Sequence, residues 1–169
     1  PGAWASPVCF RRDGPGVLTR PGPTWKPGVR HCNDWHTGLI PGSARRFYAD
    51  KAAIQQAATL FTIHNLAYQG NFSRRRWPST GLPDSLYDIN GLEFYGEWTF
   101  MKGGLTSSSR VHTVSENYAR ELQTPEYGVG LHGLVRTLFR PDVPSGLITG
   151  FPYEEDDPAA DTPTPTTST

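Results

Sequence analysis

Residues 59–63, TLFTI, are a short run of β-branched and apolar side chains that stops abruptly at His64 and Asn65. Such a run favours a buried strand. His64, Asn65, Tyr68 and Gln69 then gather just past its end, which is where an open α/β sheet meets its ligand. The chain repeats the pattern twice. VRHCNDWH, residues 29–36, leads into a helical stretch, and RVHTVSEN, residues 110–117, leads into a clear helix. The three runs predict parallel strands at 29–33, 59–63 and 110–114 in one doubly wound α/β sheet, with their polar ends collected along one edge.

The stretches between these runs are less regular. Residues 36–47 carry Leu39, Ile40, Ala44 and Phe47 at helical spacing, with Asp34 placed to cap the first turn and Pro41 and Gly42 interrupting it. Residues 52–58 are helix-prone but short, and 69–83 read as a long loop. A helix is expected over 96–109, softened by Gly103 and Gly104, whose small size lets another backbone come close. Ser115 is placed as the N-cap of a helix at 116–123, with Tyr118, Ala119 and Leu122 as its inner stripe. The apolar stretch 131–139 suggests a further helix, and 145–151 a last strand.

The chain has 169 residues, room for one domain with a real core. The proline- and glycine-rich residues 1–27 read as an irregular arm, 28–151 as the domain, and 152–169 as a flexible Pro/Thr-rich tail. Sixteen basic residues balance sixteen acidic ones, so neither nucleic acid nor a membrane surface is expected as the main partner. Arg74, Arg75 and Arg76 form the one dense basic spot, read as a solvated loop. No apolar run is long enough to span a bilayer. Two cysteines, Cys9 and Cys32, are too few for a disulfide framework, which favours a reducing compartment.

Three other chemistries do not fit the sequence. His31, Cys32, Asp34 and His36 are metal-ligand types, but strand alternation points His31 and Cys32 to opposite faces, so the four do not converge. Gly128, Gly130 and Gly133 look like a phosphate loop, yet no Lys-Ser or Lys-Thr pair follows them. Ser115 lacks the glycine-flanked elbow of a nucleophile, and capping accounts for it.

Five ordered segments, HCNDWHTGLIP, TIHNLAYQG, GLEFYGEWTFMKGGL, RVHTVSENYARELQTPEYGVGLHGL and GLITGFPYEEDDPAAD, resemble bacterial glycogen synthases and plant starch synthases, the glucosyltransferases that use ADP-glucose. The resemblance covers residues 25–161. It implies a partial Rossmann-like sheet from the N-terminal half of a GT-B glycosyltransferase, the half that mostly meets the glucan acceptor. The partners implied are ADP-glucose, an α-1,4-glucan and a C-terminal domain of the same enzyme. No cofactor is implied, and the compartment would be the bacterial cytoplasm or, alternatively, a plastid.

By that resemblance His64 matches the histidine that contacts the transferred glucose, and Asp34 an aspartate on the cleft floor, both catalytic. His36, Asn65, Tyr68, Gln69 and Thr149 are the substrate-binding candidates. Without the resemblance, a histidine at the end of an apolar strand reads first as a core residue satisfied by backbone groups; the resemblance reverses that order. The sequence also departs from the family. Thr149 stands where an asparagine is expected, Pro152 and Tyr153 replace an acidic position, and neither the Lys-Thr-Gly-Gly-Leu loop nor the cationic C-terminal domain is present. The expected activity of a complete enzyme is retaining transfer of glucose to the non-reducing end of the glucan, with this part inactive alone. The alternative is a non-catalytic glucan-binding remnant.

Overall fold

The computed structural model describes residues 28–139. The arm 1–27, the strand expected at 145–151, Thr149 and the tail 152–169 lie outside the described residues. The three expected strands form one parallel sheet in the order β1-β2-β6: β1 (Val29–Asn33), β2 (Ala58–Ile63) and β6 (Arg110–Thr113). Cys32 pairs with Phe61, and Phe61 with Val111, so the register aligns the carboxyl ends of all three strands.

Alternation along these strands separates two chemistries. Cys32, Phe61 and Ile63 face a core with Met101 and Leu105, Ala119 and Leu122, and Leu131, Val135 and Phe139. On the opposite face the Thr62 hydroxyl bridges two imidazoles, His31 Nε2 at 2.6 Å and His112 Nε2 at 2.9 Å. The buried histidine of this domain is therefore His112, 6% exposed. Cys32 and His31 do point apart, and burial pushes the Cys32 thiol up to about 11.

The helical stretch expected over 36–47 is two helices, α1 (Asp34–Thr37) and α2 (Ile40–Phe47). Pro41 lacks an N–H and is tolerated in a first turn, so a second helix starts there. Asp34 does not cap α1. Asn33 occupies the N-cap position without a side-chain capping bond, and Asp34 takes a left-handed φ of 52°. Such a conformation is uncommon outside glycine, though asparagine and aspartate tolerate it best. Next comes α3 (Ala52–Gln56), two residues shorter at its end than expected because Ala58 already belongs to β2.

A second sheet was not legible. β3 (Asn71–Ser73), β4 (Glu93–Phe94) and β5 (Glu97–Thr99) pair antiparallel in the order β3-β5-β4. The loop expected over 69–83 thus begins as a strand and continues as the 3₁₀ segment Arg74–Thr80. The helix expected over 96–109 is β5 followed by α4 (Phe100–Ser107). An aromatic cluster joins these pieces: Trp98 lies 5.0 Å from Phe72, 5.3 Å from Phe100 and 5.6 Å from Trp77, ring centre to ring centre. Arg74 rests over the Tyr87 ring.

Close approach explains the glycines of α4. A Cβ on Gly104 would lie 2.3 Å from Phe61 Cε2, so this helix sits directly on the central strand. Ser115 caps α5 (Glu116–Glu121), its hydroxyl accepting from the Tyr118 amide at 3.1 Å, as expected. α6 (Pro125–Gly128) and α7 (His132–Leu138) complete the described chain. Their connection turns at Val129 and Gly130, both with positive φ.

Candidate functional site at the carboxyl edge of the sheet

β1 and β2 end side by side, and their next residues knit the edge together. One Asp34 carboxylate oxygen, Oδ1, accepts the backbone N–H of His64 at 2.8 Å and that of Asn65 at 3.3 Å. Asn33 Oδ1 lies 3.0 Å from His64 Nε2. An amide oxygen only accepts, so Nε2 donates, and the tautomer this bond selects has its acceptor lone pair on Nδ1. The His64 ring is exposed. Asn65 Oδ1 accepts from the Ala67 amide at 3.0 Å, an Asx turn that leaves its –NH₂ group as donor.

A helix closes the site from the other side. The Tyr118 hydroxyl accepts from the Leu66 amide at 3.0 Å. Burial, together with the nearby Asp34 and Glu121 carboxylates, raises the Tyr118 pKa against the opposing effect of that amide. The phenol is protonated at neutral pH, and its O–H proton is available to a second partner.

Two adjoining clefts open along this edge. One, about 350 Å³, is lined by His64, Asn65, Tyr118, Glu126 and Tyr127. The other, about 310 Å³, is lined by Trp35, Tyr68, Gln69, Gly70 and Asn71. Ala67 and Val129 belong to both. Gly70 is required twice over: its φ is +64°, and a Cβ there would lie only 2.3 Å from Trp35 Cε3. Among the described residues neither cleft is lined by lysine or arginine. Such walls hold hydroxyls and apolar ring faces but give a diphosphate no counter-charge.

The structure brings Asp34, His64 and Asn65 into one hydrogen-bonded group. Tyr68, 67% exposed, stands in the neighbouring cleft. Gln69 is buried, and its amide nitrogen donates to the Val129 carbonyl at 2.9 Å, bracing the α6–α7 turn. His36 is exposed and stacks on Trp35 with ring centres 4.1 Å apart, outside the Asp34–His64 bonds. Asn33, Trp35, Tyr118 and Val129 are additions from the structure. Only Trp35 left a sequence signal, as an aromatic set between Asp34 and His36 at a strand end. Among the described residues no group of three or more His, Cys, Asp or Glu could hold a metal ion.

A family model described as the starch synthase catalytic domain matches residues 15–137. The chain belongs to the glycogen and starch synthase family. It is 44% identical over 145 residues to a glycogen synthase of Cellvibrio japonicus, covering 86% of this chain and 28% of that protein. A glycogen synthase of Thermotoga maritima is 46% identical over 136 residues, covering 80% and 28%. The chain therefore spans a little over a quarter of the length of these curated relatives. The catalytic domain of starch synthase IV from Arabidopsis thaliana, solved bound to ADP and acarbose, superposes with a TM-score of 0.75 at 29% identity, over 88% of this chain and 30% of that one. The parallel sheet is thus part of a GT-B synthase fold. Its hydrogen-bonded edge belongs to a family of glycosyltransferases.

Proposed function

We propose that this chain supplies the acceptor side of a retaining glucosyltransferase that moves glucose from ADP-glucose to the non-reducing end of an α-1,4-glucan. In the reaction the bond between glucose C1 and the ADP oxygen breaks, its electron pair leaving on the diphosphate. A new bond forms from C1 to the glucan 4-oxygen on the same face of the sugar, and the hydroxyl proton passes to the departing diphosphate oxygen. The observation that carries the reading is the Asn33–His64–Asp34 group: an imidazole held by an amide, a backbone clasped by a carboxylate, aromatic walls and, among the described residues, no lysine or arginine lining the clefts.

His64 would offer Nδ1 to a sugar hydroxyl while Asn33 holds the ring. Asp34 fixes the 64–65 backbone, and its negative charge favours the positive charge that develops at C1. Asn65 and Tyr68 would meet hydroxyls and a pyranose face, His36 and Thr149 further hydroxyls, and Gln69 would act through the Val129 turn. The cations that stabilise departing ADP belong to the C-terminal domain of the enzyme. Bacterial cytoplasm is the setting favoured by the curated relatives, and a plastid by the starch synthase neighbour; no helix of the described residues is long and apolar enough to cross a membrane.

Calorimetric titration of the 169-residue chain tests this division of labour. Maltoheptaose should bind, ADP should not, and the chain alone should not extend maltoheptaose from radiolabelled ADP-glucose. Saturable ADP binding, or elongation by the chain alone, would overturn it. The cation-free clefts also suit a protein that binds glucan without transferring glucose. Whether the reading frame continues into a second domain separates the two.

A further inference from the structure

We propose that a cleft at the amino edge of the parallel sheet docks an acidic segment of a partner protein, with Arg45 and Arg46 taking its carboxylates and an apolar wall taking a side chain set between them. The cleft, about 540 Å³, lies between the end of α2, the end of α4 and residues 83–92. α4 runs out at Ser107, just before β6 begins at Arg110. The cleft therefore sits at the opposite end of the strands from His64, and it is independent of the acceptor-side reading.

Its charge is unbalanced. Arg45 and Arg46 both line it and both are exposed, and among the described residues no aspartate or glutamate lines it. The two carboxylates of the adjoining loop are engaged locally: Asp84 Oδ1 accepts the Trp77 indole N–H at 2.9 Å, and Asp88 Oδ1 the Asn90 amide at 2.8 Å. A third guanidinium lies behind them. Arg30 Nη2 donates to the Ala57 carbonyl at 3.0 Å, while its Nε and Nη1 are buried without a partner among the described residues. Burial lowers the Arg30 pKa; the Cys32 side chain opposes that effect, and the charge of Arg45 adds to it. Like charges gathered without a counter-charge leave a field that an anionic partner relieves.

The other walls select the kind of anion. Half-buried Pro83 and Leu86 line the cleft, and Ile89, 72% exposed, precedes Asn90 at its rim. Asn90 and Ser107 supply polar side chains. An extended peptide complements all of these, with carboxylates, an apolar side chain and backbone amides, whereas a compact anion would leave the apolar wall unused. Arg45 and Arg46 also lie in the last turn of α2, where the carbonyl end of the helix offsets part of their charge. That suits single carboxylates spaced along a chain and held by planar guanidinium forks better than the concentrated charge of a diphosphate.

Fluorescence anisotropy of a labelled Glu-Asp-Leu-Glu-Asp-Leu peptide, mixed with the 169-residue chain, tests the proposal against a Gln-Asn-Leu-Gln-Asn-Leu control. Wild type should bind the acidic peptide saturably and about tenfold or more tighter than the neutral one. Arg45→Gln/Arg46→Gln should keep the wild-type thermal midpoint, since both side chains are exposed, and should weaken the acidic peptide about tenfold. Ile89→Asp, which places a like charge at the rim and leaves the arginines in place, should weaken it as well. Arg75→Gln/Arg120→Gln removes the same charge elsewhere and should bind like wild type, as should His64→Ala. No saturable binding, or an equal loss in Arg75→Gln/Arg120→Gln, would overturn the assignment. Displacement of the peptide by ADP would overturn it too, because the cleft would then be a phosphate site.

Discussion

Replacing Asp34 with alanine removes the oxygen that accepts the His64 amide at 2.8 Å and the Asn65 amide at 3.3 Å. A hydrogen bond to a charged group contributes about 1.5–3 kcal/mol. The longer contact falls beyond the usual N–H···O range and adds little. Both amides lie near solvent, so the loss should be about 2 kcal/mol. Alanine must also adopt the left-handed φ of 52° found at this position, which costs about 1 kcal/mol more. Glycine loses the bonds but relieves the backbone, whereas asparagine keeps an acceptor and tolerates the conformation. Stability should therefore fall in the order aspartate, asparagine, glycine, alanine, with a total loss of about 3 kcal/mol for alanine. Urea unfolding resolves this order: with a slope of about 1–3 kcal/mol per molar, the alanine midpoint should drop by about 1 M or more. Amide exchange at His64 and Asn65 should accelerate in the alanine and glycine variants. An asparagine variant as unstable as alanine, or an alanine variant within about 0.5 kcal/mol of wild type, would refute the assignment of Asp34 as the clasp between β1 and β2.

Gly104→Ala drives a methyl group into the Phe61 ring and should destabilise by about 1–3 kcal/mol, read as a lower thermal midpoint; an unchanged midpoint would mean that α4 does not sit so close to β2. His64→Ala, in the chain joined to the donor-side domain of a glycogen synthase relative, should lower turnover on the order of a hundredfold or more, about 2.7–4 kcal/mol, with little change in melting, because the ring is exposed. Lost stability with an unchanged rate per folded molecule would end its catalytic assignment. The Cys32 thiol has its pKa raised from 9.0 to about 11 in the fold. The unfolded chain releases this proton first, so the contribution is full below pH 9 and is lost as pH rises toward 11. In a Cys9→Ser background, Cys32 should resist a disulfide reagent at pH 8 until urea unfolds the chain; rapid labelling of the folded protein would contradict its burial.

The sequence by itself determined the parallel sheet, the side on which its polar ends collect, the opposed faces of His31 and Cys32, and the Ser115 cap. Each is written in a pattern confined to a few neighbouring residues: a β-branched run, a period of two, a hydroxyl before a helix. It could not show that the buried histidine is His112, because that depends on which strand lies beside Thr62 and in what register. Asp34 reads locally as a helix cap, yet its carboxylate belongs to amides thirty residues away. Tyr118 looks like one member of an apolar stripe until the packing of α5 sets its hydroxyl on the Leu66 amide. The second sheet escaped for a related reason, since strands of two and three residues are too short to carry a period, and the aromatic cluster around Trp98 holds them. Local patterns specify elements because backbone conformation responds to nearest neighbours. The partners of individual polar side chains were decided by the tertiary structure alone, because register and helix packing choose which distant atoms come within about 3 Å.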